Sequence, residues 1–174
     1  MKKIVFMVLI LNTILIQGCV IQSNQLSNLL SVIRESDSYV LQNGWIVRYK
    51  GYESIVYAVN VNEGILFSNA VGDQILFDGW TVRKISSLGR RQLDIKIDGA
   101  IGVRTFKQGT SFIANHMCQP WERFSRSKMV SLSQSCSGRR DYENSILILG
   151  DGSISVIRQI VDDRYTPLTL TKVE

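Results

Sequence analysis

From Gly44 onward the chain consists of short segments in which apolar and polar residues alternate, separated by breaks that contain glycine. Alternation with a period of two is typical of β-strands with one buried face, and Gly, Asn and Asp in the breaks favour tight turns. No long helical pattern separates the segments, so parallel crossover units are not expected. The sequence predicts an all-β domain of antiparallel sheets in a barrel-like or sandwich arrangement. The predicted strands are WIVRY, ESIVYAVNV, ILFS, QILF, WTVRKIS, QLDIKI, GVRTF, KMVSLSQS, SILIL, SISVIRQIV and LTLTKV.

Several segments of this region carry more specific predictions. The GDG sequence at 150–152, between SILIL and SISVIRQIV, predicts a tight hairpin. Residues 107–127 mix Pro, Gly and aromatic residues and predict a long loop, and residues 137–143 predict an exposed turn. The related sequences NGWIVR (43–48) and DGWTVR (78–83) predict two similar hairpins, each with a tryptophan stacked on the core.

One short helix is predicted before the strands. Leu26, Leu29, Leu30 and Ile33 recur at helical spacing and form one apolar face. The helix is expected either to pack on the β domain or to bind a partner. We therefore expect a single β-rich domain over 26–174, with this helix at its start.

The first residues have the organisation of an exported protein. Lys2 and Lys3 precede an apolar segment at 4–16, as in a secretory signal peptide. As a helix this segment would span about 20 Å, which is less than the roughly 30 Å of a membrane hydrocarbon core. A removable signal therefore explains it better than a transmembrane helix.

The sequence Ile16-Gln17-Gly18-Cys19 resembles a bacterial lipobox. This predicts removal of residues 1–18, acylation of Cys19 by chains such as palmitate, and a short lipidated tether at 19–25; several acyl chains together anchor stably to a membrane. The alternative is a secreted protein in which the cysteine is incidental. Val20 in place of aspartate favours, by the usual sorting rule for such lipoproteins, the outer membrane, with the domain facing the periplasm.

The charge of the chain argues against nucleic acid as a partner. The formal net charge is +5, and it falls to +3 when Lys2 and Lys3 are removed with the signal. The remaining charges are scattered, and the Arg pairs at 90–91 and 139–140 are not interleaved with aromatic residues. An exported protein with this pattern is not expected to bind nucleic acid.

Two cysteines remain once Cys19 is assigned to lipid. In an oxidising compartment, Cys118 and Cys136 are expected to form a disulfide. The alternative is a metal site that includes His116, although no fourth ligand stands at a suitable spacing. We therefore expect no metal and no cofactor.

The sequence lacks the patterns that indicate an enzyme. His116 is the single histidine, and no serine lies in a Gly-x-Ser-x-Gly turn. Glycoside hydrolysis requires two carboxylates about 5–10 Å apart. The adjacent pair Asp162-Asp163 would point to opposite faces of an extended chain, and Asp94 and Asp98 fit a solvated strand face. We therefore expect no catalytic residues.

The expected long loop contains the candidate contact residues. Trp121, with Arg123 and Arg126, is suited to contact a sugar or an anionic partner. Alternatively, Trp121 covers the end of the core. Arg158 and Gln159 are adjacent in a predicted strand, so one of them is expected to face inward. A buried Arg158 would need a carboxylate or carbonyl partner, and a contact with a saccharide or a protein is the alternative.

Two stretches resemble one known family. SNAVGDQILFDGWTVRKISSLG (68–89) and YENSILILGDGSISVIRQIVDDRYTPLTLTKVE (142–174) are similar to segments of the group 4 capsule polysaccharide lipoprotein family, of the YjbF/GfcB type. In the second stretch, five residues occupy matching places: Asn144, Gly152, Arg158, Gln159 and Pro167. Tyr142 stands where that family has tryptophan, and the resemblance is weak over 90–141.

The resemblance implies an all-β periplasmic domain that takes part in making or exporting a surface polysaccharide. It also implies a partner, an outer-membrane β-barrel protein of the export system. It transfers no catalytic residues. The expected role is therefore that of a non-enzymatic accessory factor, and the alternative is an adaptor or pilotin-like lipoprotein that braces another outer-membrane assembly.

Overall fold

The structure, a computed structural model, describes residues 44–99 and 101–173. The expected signal peptide, the lipidated Cys19, the tether and the N-terminal helix lie outside the described residues. The described residues form an all-β fold without a helix, as the alternating sequence pattern predicts. In these two ranges, no helix is long and apolar enough to cross a membrane.

Thirteen strands run antiparallel to their neighbours, because tight turns connect most of them. Around the sheet their order is β11, β12, β13, β1 to β8, β10 and β9, and β10 pairs back to β11. The strands are β1 (Gly44–Tyr49), β2 (Tyr52–Val61), β3 (Gly64–Ser68), β4 (Gln74–Phe77), β5 (Val82–Leu88), β6 (Arg91–Asp98), β7 (Gly102–Gln108), β8 (Ser111–Cys118), β9 (Glu122–Arg126), β10 (Met129–Ser137), β11 (Asp141–Ile148), β12 (Ile154–Ile160) and β13 (Pro167–Lys172).

The sheet closes into a barrel where β8 and β9 meet β10. β8 pairs with β10 at only two positions, Cys118↔Cys136 and Met117↔Ser137. β9 then continues along the same edge of β10, from Glu122↔Ser133 onward. β8 and β9 thus act as one strand with a bulge at 119–121. The result is a closed antiparallel barrel of 12 strands, and we call the short β8–β10 pairing the seam.

A disulfide joins the two strands of the seam. Cys118 and Cys136 lie directly opposite each other, with an S–S distance of 2.05 Å and a Cα–Cα distance of 4.1 Å. The predicted disulfide is therefore present. A metal site at these cysteines is ruled out because both sulfurs are used in the bond. Among the described residues, no group of three or more His, Cys, Asp or Glu side chains is placed to hold a metal ion.

The interior of the barrel contains the hydrophobic core. Val47 in β1, Phe67 in β3 and Ile85 in β5 are fully buried and point into the barrel. Trp45 packs edge-on against Phe67, with 5.0 Å between ring centroids. Trp80, the corresponding residue of the second repeated motif, is 49% exposed. The prediction of two equivalent stacked tryptophans is wrong because Trp45 lies within β1, whereas Trp80 lies in the turn between β4 and β5.

Residues 107–127 do not form the predicted long loop, because β8 and β9 occupy most of this segment. The usual alternation is inverted in β8: Phe112 and Met117 are exposed, while His116 is buried. The strand pattern was therefore hidden in the sequence. Pro120 lies in the bulge, where the missing N–H of proline costs no ladder hydrogen bond.

The shorter turns agree with their predictions. Between β11 and β12 the Leu149 N–H donates to the Ser153 carbonyl at 2.8 Å, and the Gly152 N–H donates to the Leu149 carbonyl at 2.9 Å. The predicted hairpin at 150–152 is confirmed. The predicted exposed turn at 137–143 is shorter than expected, because β11 already begins at Asp141.

Asp73 lies at the end of the barrel where the β1–β2, β3–β4 and β5–β6 turns are found. There it connects β2, its own turn and the β5–β6 turn. Its buried carboxylate accepts hydrogen bonds from Ser54 Oγ (2.6 Å), Tyr52 Oη (2.8 Å), Asn69 Nδ2 (2.9 Å) and the Gly89 N–H (2.8 Å). Burial by itself raises the pKa of Asp73, but these donors outweigh burial and hold the pKa below its usual value. The carboxylate is therefore ionised in the folded protein at neutral pH.

Candidate binding groove

A groove of about 1300 Å³ opens at the other end of the barrel, where the β4–β5, β9–β10 and β11–β12 turns meet. Sites for small molecules usually enclose about 300–1,000 Å³. The volume and the open shape suit a segment of an extended ligand better than a small enclosed substrate. Two tryptophans, Trp80 and Trp121, flank an apolar wall formed by Met129, Val130, Leu132, Ile148 and Leu149.

The β4–β5 turn presents Trp80 to the groove. Asp78 Oδ1 accepts hydrogen bonds from the backbone N–H groups of Trp80 (2.9 Å) and Thr81 (2.7 Å), which closes the turn. Gly79 has φ +99°, a conformation that residues with a Cβ rarely adopt. The Asp78-Gly79 pair therefore fixes where Trp80 leaves the turn.

Gln159 in β12 holds this turn from across the barrel. Its Nε2 donates to the Trp80 carbonyl at 2.7 Å, and its Oε1 accepts from the Val82 N–H at 3.0 Å. Gln159 is fully buried, whereas Arg158 is exposed on the outer face. The expectation of a buried Arg158 with a carboxylate partner is therefore wrong, and the inward residue of the pair is Gln159.

Replacing Gln159 with leucine is expected to lower the free energy of unfolding by about 2 kcal/mol, because one buried N–H and one carbonyl lose their partners. Chemical denaturation of the variant measures this loss, and Arg158→Leu is the matched control on the outer face of the same strand. Equal stability of the two variants would contradict the bracing role of Gln159.

Trp121 occupies the bulge between β8 and β9. Its ring lies 6.1 Å from the ring of Trp80, measured between centroids, at an interplanar angle of 45°. It also packs against the hydrophobic core, as the second of the two interpretations of Trp121 predicts. Its indole Nε1–H is buried without a hydrogen-bond partner.

The two arginines of β9 point in opposite directions. Arg123 pairs with the inward residue Leu132 and lines the groove, as does Lys128 in the following turn. Arg126 is three positions after Arg123 on the exposed strand β9, so it lies on the opposite face of the strand. It is not part of the groove lining. Of the predicted contact residues, Trp121 and Arg123 therefore come together, while Arg126 and Arg158 do not join them.

Arg104 is the largest of the fully buried side chains. None of its three guanidinium nitrogens has a hydrogen-bond partner, and its nearest aromatic contact is Phe106, with 5.7 Å from Cζ to the ring centroid. Taking a charge out of water costs several kcal/mol, whereas a cation–π contact returns about 0.5–2 kcal/mol. Burial accordingly lowers the pKa of Arg104. Tyr142 and Asp78 raise the pKa and Arg83 lowers it further, but burial has the largest effect.

His116 lies directly opposite Arg104 in the β7–β8 ladder, and its contacts are packing contacts inside the barrel. Its Nδ1 lies 2.9 Å from Tyr142 Oη, and its ring stacks on Tyr165 with 5.4 Å between centroids. Burial, and next the positive charge of Arg104, lower the pKa of His116 below its ordinary value. The imidazole is therefore neutral at pH 7 and packs the barrel interior.

Sequence reasoning missed Trp80 and Arg104. A signal existed for Arg104, because Arg104 and Phe106 share one face of β7 and Phe106 is the apolar residue expected to face inward. Trp80 was assigned to a strand because DGWTVR repeats the pattern of NGWIVR, although Asp-Gly directly before it indicates a turn.

Comparisons with family models, with curated proteins and with solved structures yield no match for this chain.

Proposed function

We propose that this chain is an outer-membrane lipoprotein that acts as a non-enzymatic accessory factor in the assembly or export of a capsule or exopolysaccharide. The lipobox before Cys19 supports the anchor, and the two sequence stretches similar to the capsule lipoprotein family support the pathway. The domain would face the periplasm and act together with an outer-membrane β-barrel protein of the export system.

The observation that carries the proposal is the pair of tryptophans in the groove. Aromatic side chains provide large, rigid apolar surfaces on which the apolar face of a sugar ring can stack. Trp80 and Trp121 lie 6.1 Å apart in a groove that also contains the cationic side chains of Arg123 and Lys128. A saccharide chain would stack on the tryptophans and receive hydrogen bonds from Arg123 and Lys128.

The acidic content of the groove supports binding rather than cleavage. Among the described residues that line it, Asp151 is the acidic one. Its Oδ1 accepts a hydrogen bond from the Ser153 N–H at 2.8 Å within its own turn. Cleavage of a glycosidic bond by the usual route needs two carboxylates on either side of the bond, so the proposed role is to hold or guide the polymer.

One observation favours the adaptor role as a second candidate. All residues of β9 are exposed, and β9 pairs with β10 alone, so one strand edge is open. Phe124, 54% exposed, lies on the outer face of this strand. Open strand edges recruit strands of partner proteins, so β9 could dock an outer-membrane assembly unrelated to sugar.

Measurement of surface polysaccharide in a strain that lacks this chain distinguishes the two functions. Under the proposed function, surface polymer is lost, polymer accumulates inside the cell, and wild type but not Cys19→Ala restores export. Unchanged surface polymer would contradict the proposed function and leave the adaptor role.

Trp80→Ala and Trp121→Ala are each expected to weaken binding of the cell's own surface polysaccharide by about tenfold, because each removes one stacking surface. Calorimetric titration of each variant with short fragments of the polymer measures the affinity. Phe112→Ala is the matched control, since Phe112 is an exposed aromatic residue on β8 outside the groove. Equal affinity of all three variants would contradict the role of the groove.

A further inference from the structure

The buried polar atoms that lack a partner indicate what the groove end of the barrel binds. Within the described residues these atoms are the three guanidinium nitrogens of Arg104, Thr81 Oγ1, Trp121 Nε1 and Ser153 Oγ. Each of these groups can donate a hydrogen bond, and guanidinium and indole N–H groups can only donate. A complementary ligand is therefore rich in acceptors.

These donors belong to the end of the barrel where the groove opens. Trp121 lines the groove, and Thr81 and Ser153 directly follow the lining residues Trp80 and Gly152. β7 begins at this end with Gly102, so Arg104 is its first inward side chain. Arg104 interacts electrostatically with Tyr142 of β11 and, more weakly, with Arg83 and Asp78, which flank the Trp80 turn.

Two of the three charged residues on the groove lining, Arg123 and Lys128, have the same sign as Arg104, and the third, Asp151, is negative. In residues 44–99 and 101–173, neither Arg123 nor Lys128 forms an ion pair. The acidic residue of the lining and the one in the Trp80 turn already have partners: Asp151 accepts from Ser153, and Asp78 closes its own turn and lies 3.7 Å from Arg83. The groove end therefore carries positive charge that the described residues do not neutralise.

We infer that the groove selects an acidic saccharide, a polymer that bears carboxylate groups, and that Arg123 in the groove lining and the buried Arg104 supply the selecting positive charge. The inference rests on the proposed function and adds the chemical class of the polymer. The planar fork of the exposed Arg123 guanidinium matches a carboxylate in shape and charge. Because Arg104 is surrounded by protein rather than water, its field is weakly screened at the groove.

Calorimetric titration of the purified full-length chain with a short oligomer of glucuronic acid tests the inference, with a glucose oligomer of equal length as the neutral counterpart. Wild type is expected to bind the acidic oligomer about tenfold more tightly, a preference that falls as salt is added. Arg104→Met is expected to remove the preference and to leave the melting temperature of the free protein equal or higher, because a buried unpaired charge is replaced by an apolar side chain of similar length.

Two further variants complete the test. Arg104→Lys keeps the positive charge and is expected to retain part of the preference, and Arg158→Met, on the outer face of β12, is expected to retain all of it. If Arg104→Met does not fold, Arg104→Gln removes the same charge with a polar side chain.

Several results would overturn the inference. One is a folded Arg104→Met or Arg104→Gln variant that still prefers the acidic oligomer. Another is a lower melting temperature of Arg104→Met with affinities equal to those of wild type. Equal binding of both oligomers by wild type would reject acid selection but leave the proposed function standing, provided that Trp80→Ala still weakens binding. If neither oligomer binds, saccharide binding by the groove fails as well. If inorganic phosphate competes as well as glucuronate does, the site is a general anion site, and selection for carboxylates is rejected.

Discussion

Replacing both cysteines of the seam, in Cys118→Ala/Cys136→Ala, is expected to lower the free energy of unfolding by about 3 kcal/mol or more. The bond spans 18 positions of sequence, and a loop of this size accounts for about 3 kcal/mol through the entropy of the unfolded chain. The seam adds a native-state contribution, because β8 and β10 share only two register positions. Urea denaturation of variant and wild type measures the difference.

The same variant is expected to lose groove function before it loses the barrel. β9 and the bulge carry Trp121 and Arg123, and this segment is joined to β8 at the seam. A reducing agent should reproduce the effect in wild type and leave the double variant unchanged, which serves as the control. A stability change below about 0.5 kcal/mol, the range of ordinary surface substitutions, would show that the ladder alone closes the barrel.

Replacing Asp73 with alanine is expected to lower the free energy of unfolding by about 3–5 kcal/mol, because its donors on three segments are left without an acceptor. Tyr52, Ser54 and Asn69 would each have to find water or another partner, and the Gly89 N–H would be left unpaired at the β5–β6 turn. Asp163→Ala, at an exposed position near the same end, is the matched control. Equal effects of the two substitutions would contradict the role of Asp73.

The contribution of Asp73 depends on pH with a definite sign. Its pKa in the folded protein lies below the unfolded value of about 3.9, so its stabilisation is complete above the unfolded value and is lost as pH falls through the folded value. The stability advantage of wild type over Asp73→Asn should therefore shrink as the solution is acidified below about pH 4. Denaturation curves across this range measure it, and an advantage that does not change with pH would contradict it.

Acid should still weaken the Asp73→Asn variant, because a second carboxylate behaves in the same way. Asp162 is buried, which raises its pKa, but Lys50 and Tyr49 hold it below its usual value through hydrogen bonds. The acid sensitivity that remains in the variant should therefore be reduced by a further change at Asp162.

The fold was predictable because its information is local. Each strand of a barrel interior shows its inward face through alternation, and each turn shows its Gly, Asn or Asp. Pairing of Cys118 with Cys136 followed once Cys19 was assigned to lipid. β8 was missed because this local signal is inverted there: the inward side chains include His116 and Cys118, while Phe112 and Met117 face outward.

The groove was only partly predictable because its parts come from distant segments. NGWIVR and DGWTVR are nearly the same sequence, yet Trp45 is buried and Trp80 is exposed. Trp80 lies in a turn, and Gln159 holds this turn by donating a hydrogen bond to the Trp80 carbonyl from 79 positions away. A pairing of this kind leaves no periodic signal in the sequence. Trp121 and Arg123 both line the groove, although their segment is a strand with a bulge rather than the expected loop.

The pairing of β1 with β13 has a consequence for the synthesis of the chain. β1 cannot complete its ladder until Thr169–Lys172 has been synthesised, and the Val173 N–H then donates to the Gly44 carbonyl at 2.9 Å. Until that moment the nascent sheet keeps an open edge at each side, and contacts between such distant segments form slowly. The barrel therefore passes through a stage that is prone to aggregation, during which a chaperone would have a strand edge to protect.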